Sequence, residues 1–267
     1  MDLKSFFDHL TTKNIKHDEH SKFLKWSKTI KKELGFLNEE YPKSNFLNPY
    51  HFANYLSTLS EKDDIIVTSD ATACLAPFQS FFIKKGQRMF TNSGSGSMGY
   101  GLPAAAGSAI ASNKRVICFE GDGSLQMNIQ ELATISHNNL NINIFVFNNK
   151  GYQSIRQTQK NYFSDNLVGL DETNGISFPD LKLISKAYNI DYLKISKGNF
   201  KTTNLKRLMR LNKPALFEVV VDPDQGFQPK VTSRKDEKGN IVSAQLFDMF
   251  PFIEEERMKR YLKIKNI

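Results

Sequence analysis

Two short motifs place an acid and an amide where they could share one metal ion. Gly-Asp-Gly occupies 121–123 and Asn-Asn-Lys-Gly occupies 148–151, with the pattern of a helix and then a strand between them. A small divalent ion such as Mg²⁺ takes oxygen ligands, a few from protein and the rest from phosphate and water. Asp122 offers a carboxylate, Asn149 an amide oxygen and Gly151 a backbone carbonyl. The pattern therefore predicts a metal ion held against a diphosphate.

The residues beside Asp122 suit the approach of a phosphate. Gly121 and Gly123 let the chain turn tightly, and Ser124 begins a predicted helix whose first N–H groups and dipole face an anion. Either motif alone would be an ordinary turn, because Gly, Asp and Asn are strong turn formers. Their position after two consecutive predicted strands favours the metal site over two unrelated turns.

The elements that would position these motifs alternate between helix and strand. Runs of β-branched residues are typical of strands buried on both faces of a parallel sheet. We predict an α/β fold with a doubly wound, mainly parallel sheet and helices on both faces, and ligands in such folds bind outside the carboxyl ends of the strands. The predicted strands are 64–68, 115–120, 142–148, 191–195 and 215–221. The predicted helices are 50–60, 102–112, one with Leu125, Ile129, Leu132 and Ile135 on one face, 179–188 and 202–211.

The charge of the chain does not indicate a nucleic-acid partner. Its formal net charge is +8, but the lysines concentrate in 13–32 and 255–267, without interleaved aromatic residues or a recognition motif. No run approaches the roughly 18 apolar residues of a membrane span, and the start lacks the apolar segment of a secretory signal. We read Cys74 and Cys118 as free thiols in a reducing compartment. We therefore predict a cytoplasmic protein with no nucleic-acid or membrane partner.

Longer segments around the two motifs resemble a known superfamily. The similarity covers about residues 45–250, is most specific in 93–152, and points to the thiamine diphosphate-dependent enzymes, in particular the cofactor-diphosphate domain of acetolactate synthases and pyruvate decarboxylases. This resemblance implies thiamine diphosphate and Mg²⁺ as cofactors. The segments that carry it are SGSGSMGYGLPAAAGSAIA, RVICFEGDGSLQMNIQELATI and INIFVFNNKGY.

The resemblance also implies roles for single residues. Gly96 would accept a hydrogen bond from the exocyclic amine of the aminopyrimidine, and Met98 would wedge beneath the cofactor and fold it. Asp122, Asn149 and Gly151 would be the metal ligands. The implied cofactor-binding set is Gly96, Ser97, Met98, Gly121, Asp122, Gly123, Ser124, Asn149, Gly151 and Tyr152.

The glycine-rich loop leaves a second cofactor open. Gly94, Gly96 and Gly99 also match the dinucleotide-binding fingerprint, and Glu120 follows where a ribose-binding acid could lie. Against this alternative, the segment before the loop is a short and poorly apolar strand. A nicotinamide cofactor would also leave the Asp122 and Asn149 pair without a purpose.

The chain lacks the parts that enzymes of this superfamily need besides the diphosphate domain. We divide it into a linker-like helical extension (1–45), a thiamine diphosphate and Mg²⁺ domain (46–222), and a tail (223–267) that resembles a cofactor-covering lid with a terminal helix. The glutamate that activates the cofactor belongs to a pyrimidine-binding domain that we do not find, and the middle domain that sometimes carries FAD is also missing. We expect half of an enzyme, a separate subunit or a fragment, that works in a homo- or hetero-oligomer with a chain supplying the glutamate.

The resemblance implies decarboxylation of a pyruvate-like 2-keto acid and ligation of the product to an aldehyde or ketone. Simple decarboxylation and a silent scaffold stay open as alternatives. Compared with acetolactate synthases, Thr158 replaces a tryptophan and Ser154 a methionine, Arg156 is kept and Gln153 is new. We expect Gln153, Arg156 and Thr158 to shape a pocket for a bulkier or more polar acceptor, unless this segment is only a surface helix.

Overall fold

Six runs of mainly β-branched and aromatic residues form one parallel sheet in the computed structural model. The strands lie in the order β2-β1-β3-β4-β6-β5, and every neighbouring pair is parallel. The predicted doubly wound, parallel fold is confirmed. The strands are β1 (Ile65–Thr68), β2 (Arg88–Phe90), β3 (Val116–Gly121), β4 (Ile142–Asn148), β5 (Asp191–Ile195) and β6 (Ala215–Val220).

The structure describes residues 2–12, 17–34, 44–163, 166–235, 240–243 and 249–262. They fall into two compact units, one of residues 41–227 and one of residues 1–40 with 228–267. The predicted boundaries after residues 45 and 222 stay predictions.

Helices connect the strands of the larger unit. The first begins at Pro49, and the side chain of the preceding Asn48 caps it by accepting hydrogen bonds from the Tyr50 and His51 N–H groups. The helices are α3 (Pro49–Leu59), α4 (Ala71–Ser80), α5 (Gly101–Ser112), α6 (Asp122–Leu125), α7 (Glu131–His137), α8 (Gln153–Tyr162), α9 (Leu181–Ala187) and α10 (Leu205–Leu208).

Two predicted helices differ from the observed ones. The helix predicted through Leu125 and Ile135 is divided into α6, a 3₁₀ turn at Gln126–Asn128 and α7, although Leu125, Leu132 and Ile135 are all fully buried as its pattern indicated. The helix predicted for 202–211 shrinks to the single turn of α10, which the Asn204 side chain caps by accepting from the Arg207 N–H.

Apolar side chains cover both faces of the sheet. On one face Phe52 of α3 packs against Phe145 and Phe147 of β4, and Phe145 stacks on Phe217 of β6 at 4.7 Å between ring centres. On the other face α5 and α7 bury small and aliphatic side chains against alternate residues of β3 and β4, among them Val116, Cys118, Ile144 and Val146. This alternation explains why the strands are apolar throughout.

The strand order opens a crevice at one edge of the sheet. The chain passes from β1 to β2 on one side and then returns to β3 on the other side of β1. The connections that leave β1 and β3 therefore diverge, and doubly wound folds bind ligands at such switch points. Ser69 and Asp70 follow β1, Asp122 follows β3, and Asn149 follows the neighbouring β4.

The smaller unit contains helices and a short hairpin. Tyr261 links two of the helices, since its hydroxyl donates to Glu33 at 2.6 Å and its carbonyl accepts from Trp26 Nε1 at 3.1 Å. Helices are present in the predicted N-terminal extension and at the predicted terminal helix, whereas the predicted lid includes residues 236–239 and 244–248, outside the described part, and stays a prediction. The elements are α1 (Leu3–Thr12), α2 (His17–Leu34), β7 (Ser233–Lys235), β8 (Ile241–Ser243) and α11 (Glu255–Leu262).

The predicted thiols are free. Cys118 is buried in β3 and Cys74 is half-buried in α4. Within the described ranges, no helix is both long and apolar enough to cross a bilayer.

Candidate active site

One cavity lies at the carboxyl ends of β1, β3 and β4. Nine of the sequence-predicted residues line it, while Gly96, Ser97, Arg156 and Thr158 are not part of the lining. The predicted residues in the lining are Met98, Gly121, Asp122, Gly123, Ser124, Asn149, Gly151, Tyr152 and Gln153.

Asp122 joins the turns that follow β3 and β4. It is 4% exposed; Oδ1 accepts from the Gly123 N–H at 2.8 Å and Oδ2 from the Gly151 N–H at 3.3 Å. Burial raises the pKa of Asp122 to about 7, although neighbouring backbone N–H groups favour the charged form. A cation beside this carboxylate would restore its ionisation.

The side-chain oxygen of Asn149 is buried and accepts no hydrogen bond from the described residues. The residue is 6% exposed, and its Oδ1 has no hydrogen-bond partner among the residues that the structure describes. Leaving such a group unsatisfied costs about 1–3 kcal/mol. A metal ion would remove this cost, so the side chain fits the predicted ligand.

Any metal ion held here would need oxygen ligands from outside the chain. In the described part of the protein, no group of three or more His, Cys, Asp or Glu side chains could hold a metal ion. Asp122 and Asn149 offer one carboxylate and one amide oxygen, and Mg²⁺ completes its shell with phosphate oxygens and water at sites of this kind. This donor set suits a metal that binds together with a diphosphate.

The turn after β4 requires glycine at residue 151. Lys150 is left-handed (φ +54°) and Gly151 has φ +156°. A Cβ at residue 151 would lie 2.5 Å from the Leu170 carbonyl oxygen, closer than packed atoms come. The turn directs the Gly151 N–H to Asp122, and the role of the Gly151 carbonyl as a ligand stays a prediction.

Gly123 is required by an aromatic neighbour. A Cβ at residue 123 would lie 2.2 Å from Cε1 of Tyr152. The Tyr152 ring therefore rests directly on the backbone beside Asp122, and both residues line the cavity.

Ser124 fastens the glycine-rich loop to the end of β3. Its hydroxyl accepts from the Gly99 N–H at 2.8 Å and lies 2.9 Å from the Ser69 hydroxyl. Asn128 Nδ2 donates to the Gly99 carbonyl at 2.8 Å. These contacts hold the end of the loop so that Met98, 39% exposed, reaches the cavity.

The other end of the loop is fixed by Asn92. Its backbone carbonyl accepts from the Gly96 N–H at 2.8 Å, and its side chain accepts from the Ser97 N–H at 3.1 Å. Gly96 has φ +59°, a left-handed conformation that glycine adopts freely. The predicted cofactor roles of Gly96 and Ser97 stay predictions.

The residues expected to contact substrate separate into two groups. Gln153 lines the cavity and donates to the Gln225 carbonyl at 2.9 Å. Arg156 is buried and binds Asp171 at 2.8 Å, so it anchors α8. Thr158 is exposed and donates to the Ser154 carbonyl at 3.0 Å. The substrate assignment of all three stays a prediction.

The start of α4 forms a wall of the cavity that the set of predicted site residues does not include. Asp70, Ala71 and Thr72 line the cavity; Ala71 is left-handed (φ +44°), and Thr72 Oγ1 is buried with no partner in the described part of the chain. Burial raises the pKa of Asp70. The sequence pattern places this segment after the predicted strand 64–68, at the carboxyl end where ligands bind in such folds, but it indicates no role for the single residues.

Glu120 lies beneath the cavity rather than in it. It is fully buried, and a Cβ at Gly101 would lie 2.2 Å from its Oε2. An acid sealed against the start of α5 cannot reach the ribose of a ligand, which argues against the dinucleotide alternative.

Residues 71–219 match the family described as "Thiamine pyrophosphate enzyme, C-terminal TPP binding domain". The chain belongs to this family. The predicted membership is therefore confirmed.

Its curated relatives include acetolactate synthases. The chain is 30% identical over 207 residues to "Acetolactate synthase 2, chloroplastic" of Zea mays, which covers 75% of this chain and 32% of the relative. It is 27% identical over 235 residues to "Acetolactate synthase large subunit" of Lactococcus lactis subsp. lactis, which covers 86% and 39%. The chain thus spans about a third of the length of the curated relatives it matches.

Solved structures of decarboxylases share its fold. The "thiamine diphosphate-dependent 4-hydroxybenzoylformate decarboxylase" of Rhodococcus jostii RHA1 superposes with a TM-score of 0.60 at 25% identity, over 71% of this chain and 35% of that one. This α/β domain is accordingly a thiamine pyrophosphate enzyme C-terminal domain related to acetolactate synthases and decarboxylases.

Proposed function

We propose that this chain is the diphosphate-binding half of a thiamine diphosphate-dependent enzyme. It would decarboxylate a pyruvate-like 2-keto acid and ligate the product to an aldehyde or ketone. The observation that carries the proposal is the buried, unpartnered Asn149 Oδ1 in the same cavity as the buried carboxylate of Asp122. Family membership and the acetolactate synthase relatives support the reaction class.

Each group of residues has a distinct task in this proposal. Asp122 and Asn149, with the Gly151 carbonyl, would hold Mg²⁺ against the diphosphate. The bound cofactor supplies an electron sink for decarboxylation. Met98 would keep the cofactor folded, and the apolar Phe147 in the cavity wall would help to exclude water.

The cavity is smaller than the pockets that usually enclose small ligands. Its volume is about 70 Å³, whereas pockets that enclose small ligands measure roughly 300–1,000 Å³. Exposed apolar side chains of α4, α8 and the glycine-rich loop support a partner that completes the site and supplies the activating glutamate. They are Leu75, Phe78, Met98 and Ile155, each 39–48% exposed.

Simple decarboxylation is the second candidate. The likeness to a 4-hydroxybenzoylformate decarboxylase at 25% identity favours it. A pocket for a second substrate separates the two reactions, and Gln153, Ser154 and Ile155 line the cavity on the side of α8. Product analysis of the assembled enzyme with a 2-keto acid, with and without an added aldehyde, distinguishes them.

Calorimetric titration of thiamine diphosphate into the purified chain tests the proposal. We expect binding only when Mg²⁺ is present, and its loss in Asp122→Ala and Asn149→Ala, because these remove the side-chain metal ligands. Asp63→Ala, at an exposed acid before β1, is the matched control and should bind like wild type. Because the activating glutamate comes from a partner in this proposal, the same samples should not turn over a 2-keto acid.

Two outcomes would contradict the proposal. If the wild-type chain does not bind thiamine diphosphate with Mg²⁺, a scaffold that keeps the fold without the cofactor remains. If binding is independent of Mg²⁺ and of Asp122, the cofactor occupies some other site.

A further inference from the structure

A buried carboxylate lies one strand away from the metal-binding turn. Glu218 lies in β6, and only 5% of its surface is exposed although its side chain is a carboxylic acid. In the strand register it faces Val146 of β4 and Lys194 of β5. Burying a charge is costly unless hydrogen bonds compensate it. The side chains that bond to Glu218 therefore decide how it can be held in the sheet.

Glu218 is compensated by three side chains from two neighbouring strands. Its Oε1 accepts from Asn148 Nδ2 at 2.9 Å and lies 3.2 Å from Lys194 Nζ, and its Oε2 accepts from the Tyr192 hydroxyl. Burial and the Glu218 carboxylate raise the pKa of Tyr192, so the phenol remains a donor. Lys194 is largely exposed and contributes little.

The Asn148 side chain connects Glu218 to the turn that contains Asn149. While its Nδ2 donates to Glu218, its Oδ1 accepts from the Lys150 N–H at 3.1 Å. Its backbone carbonyl also accepts from the Val221 N–H at 3.1 Å. The side chain therefore bridges β6 and the left-handed Lys150, and an Asn side chain that bonds the backbone two residues on restrains a turn.

We propose that Glu218 and Asn148 are positioning residues for the metal site. Glu218 holds the Asn148 amide in one orientation, and Asn148 in turn holds the Lys150–Gly151 turn. This keeps the Asn149 side chain in the cavity and the Gly151 N–H on Asp122. The inference rests on the proposed function, because it assigns a purpose to the geometry of the metal ligands.

Metal affinity of the full chain tests this proposal independently of turnover. Mn²⁺ replaces Mg²⁺ as the probe, thiamine diphosphate is present, and electron paramagnetic resonance measures the free ion. Groups that orient metal ligands change affinity about 10–100-fold when removed. We expect a loss of that size in Glu218→Ala and in Asn148→Ala, and no further loss in the double variant, because both act through one bond.

Three controls separate positioning from general destabilisation. Glu218→Gln keeps an oxygen that can accept from Asn148 and should recover most of the affinity. Tyr192→Phe removes one partner of Glu218 but leaves the bond to Asn148, so metal affinity should stay near wild type. Asp64→Asn weakens a buried ion pair with Arg115 (2.6 Å) at the opposite end of the sheet, and lowers stability without touching the site.

The outcomes distinguish this proposal from the one on which it rests. If the wild-type chain binds and both alanine variants bind equally well, Glu218 and Asn148 have only a structural role and the positioning proposal is wrong. An equal loss in Asp64→Asn would have the same meaning. If the wild-type chain binds neither metal nor cofactor, the proposed function fails and the positioning role fails with it.

Discussion

At the scale of single residues, two buried carboxyl groups at the end of β3 have different surroundings, and only one of them lines the cavity. Burial raises the pKa of Asp122 and of Glu120 to about 7 in both cases. Asp122 lines the cavity, where a cation can reach it. Glu120 is enclosed; the nearby Ser124 and Ser69 hydroxyls lower its pKa and Asp70 raises it.

The enclosed Glu120 should make the metal-free chain less stable as pH rises. Because its pKa is higher in the folded state than in the unfolded state, the folded state binds the proton more tightly, and stability falls between about pH 4.5 and 7. Glu120→Gln removes this titration, which is worth up to about 3 kcal/mol. We expect the variant to lose less stability than wild type between pH 4.5 and 8.

Urea denaturation with a chelator present measures this difference. Asp122 titrates in both proteins, so part of the slope should remain. Glu172→Gln, at an exposed acid, is the control and should follow wild type. Equal slopes for Glu120→Gln and wild type would mean that the folded protein does not hold Glu120 protonated.

The residue types predicted many residues of the cavity lining, but not the burial of the acid next to it. The position of Asp122 and Asn149 in the cavity was predictable, because both follow neighbouring parallel strands, whose carboxyl ends lie at the same edge of the sheet. The burial of Glu120 under Gly101 was not, since it depends on how closely α5 approaches β3. The bond between Asn148 and Glu218 was hidden for the same reason, because it joins residues distant in the sequence.

At the scale of elements, the site is built from the turns that follow three parallel strands. The turns after β1, β3 and β4 carry Asp70, Asp122 and Asn149, and hydrogen bonds join them across the crevice. The turns are short, so a small change in one of them should move the Asp122 and Asn149 side chains that we propose as metal ligands.

Gly151→Ala should disrupt the turn after β4. The added Cβ would meet the Leu170 carbonyl at 2.5 Å, and φ is +156°. Gly175→Ala is the matched control, because Gly175 also has a positive φ (+111°) but open space around its Cβ position. Backbone strain alone costs about 1–3 kcal/mol, and the clash adds roughly 1–3 kcal/mol more at residue 151.

Chemical denaturation and Mg²⁺-dependent binding of thiamine diphosphate check this pair. We expect Gly151→Ala to be the less stable variant and to lose binding, and Gly175→Ala to bind normally. Equal stability in the two variants would contradict the close packing of the turn against Leu170.

The strands could be predicted from sequence more reliably than the helices between them. A continuous apolar run such as 142–148 is typical of a strand that a parallel sheet buries on both faces. The interruption between α6 and α7 was not predictable, because the apolar spacing of Leu125, Leu132 and Ile135 suits one continuous helix equally well. It places Asn128 where its side chain can hold the Gly99 carbonyl.

At the scale of the whole molecule, the proposed site is a small cavity beside exposed apolar side chains. The chain spans about a third of the length of its curated relatives, and its cavity measures about 70 Å³. The cavity contains a buried acid, Asp122, and an unsatisfied amide oxygen, that of Asn149. In the proposed function both groups bind the metal ion that holds the diphosphate. The proposed function therefore requires that a metal ion and a diphosphate bind at Asp122 and Asn149.

A crystal structure of the chain with Mn²⁺ and thiamine diphosphate tests that claim most directly. The anomalous signal of Mn²⁺ identifies the metal without assumptions about its ligands. We predict one site about 2.1 Å from an Asp122 carboxylate oxygen and from Asn149 Oδ1, with diphosphate oxygens completing the shell. Metal found elsewhere, or a diphosphate bound along residues 94–99 without metal, would contradict the account.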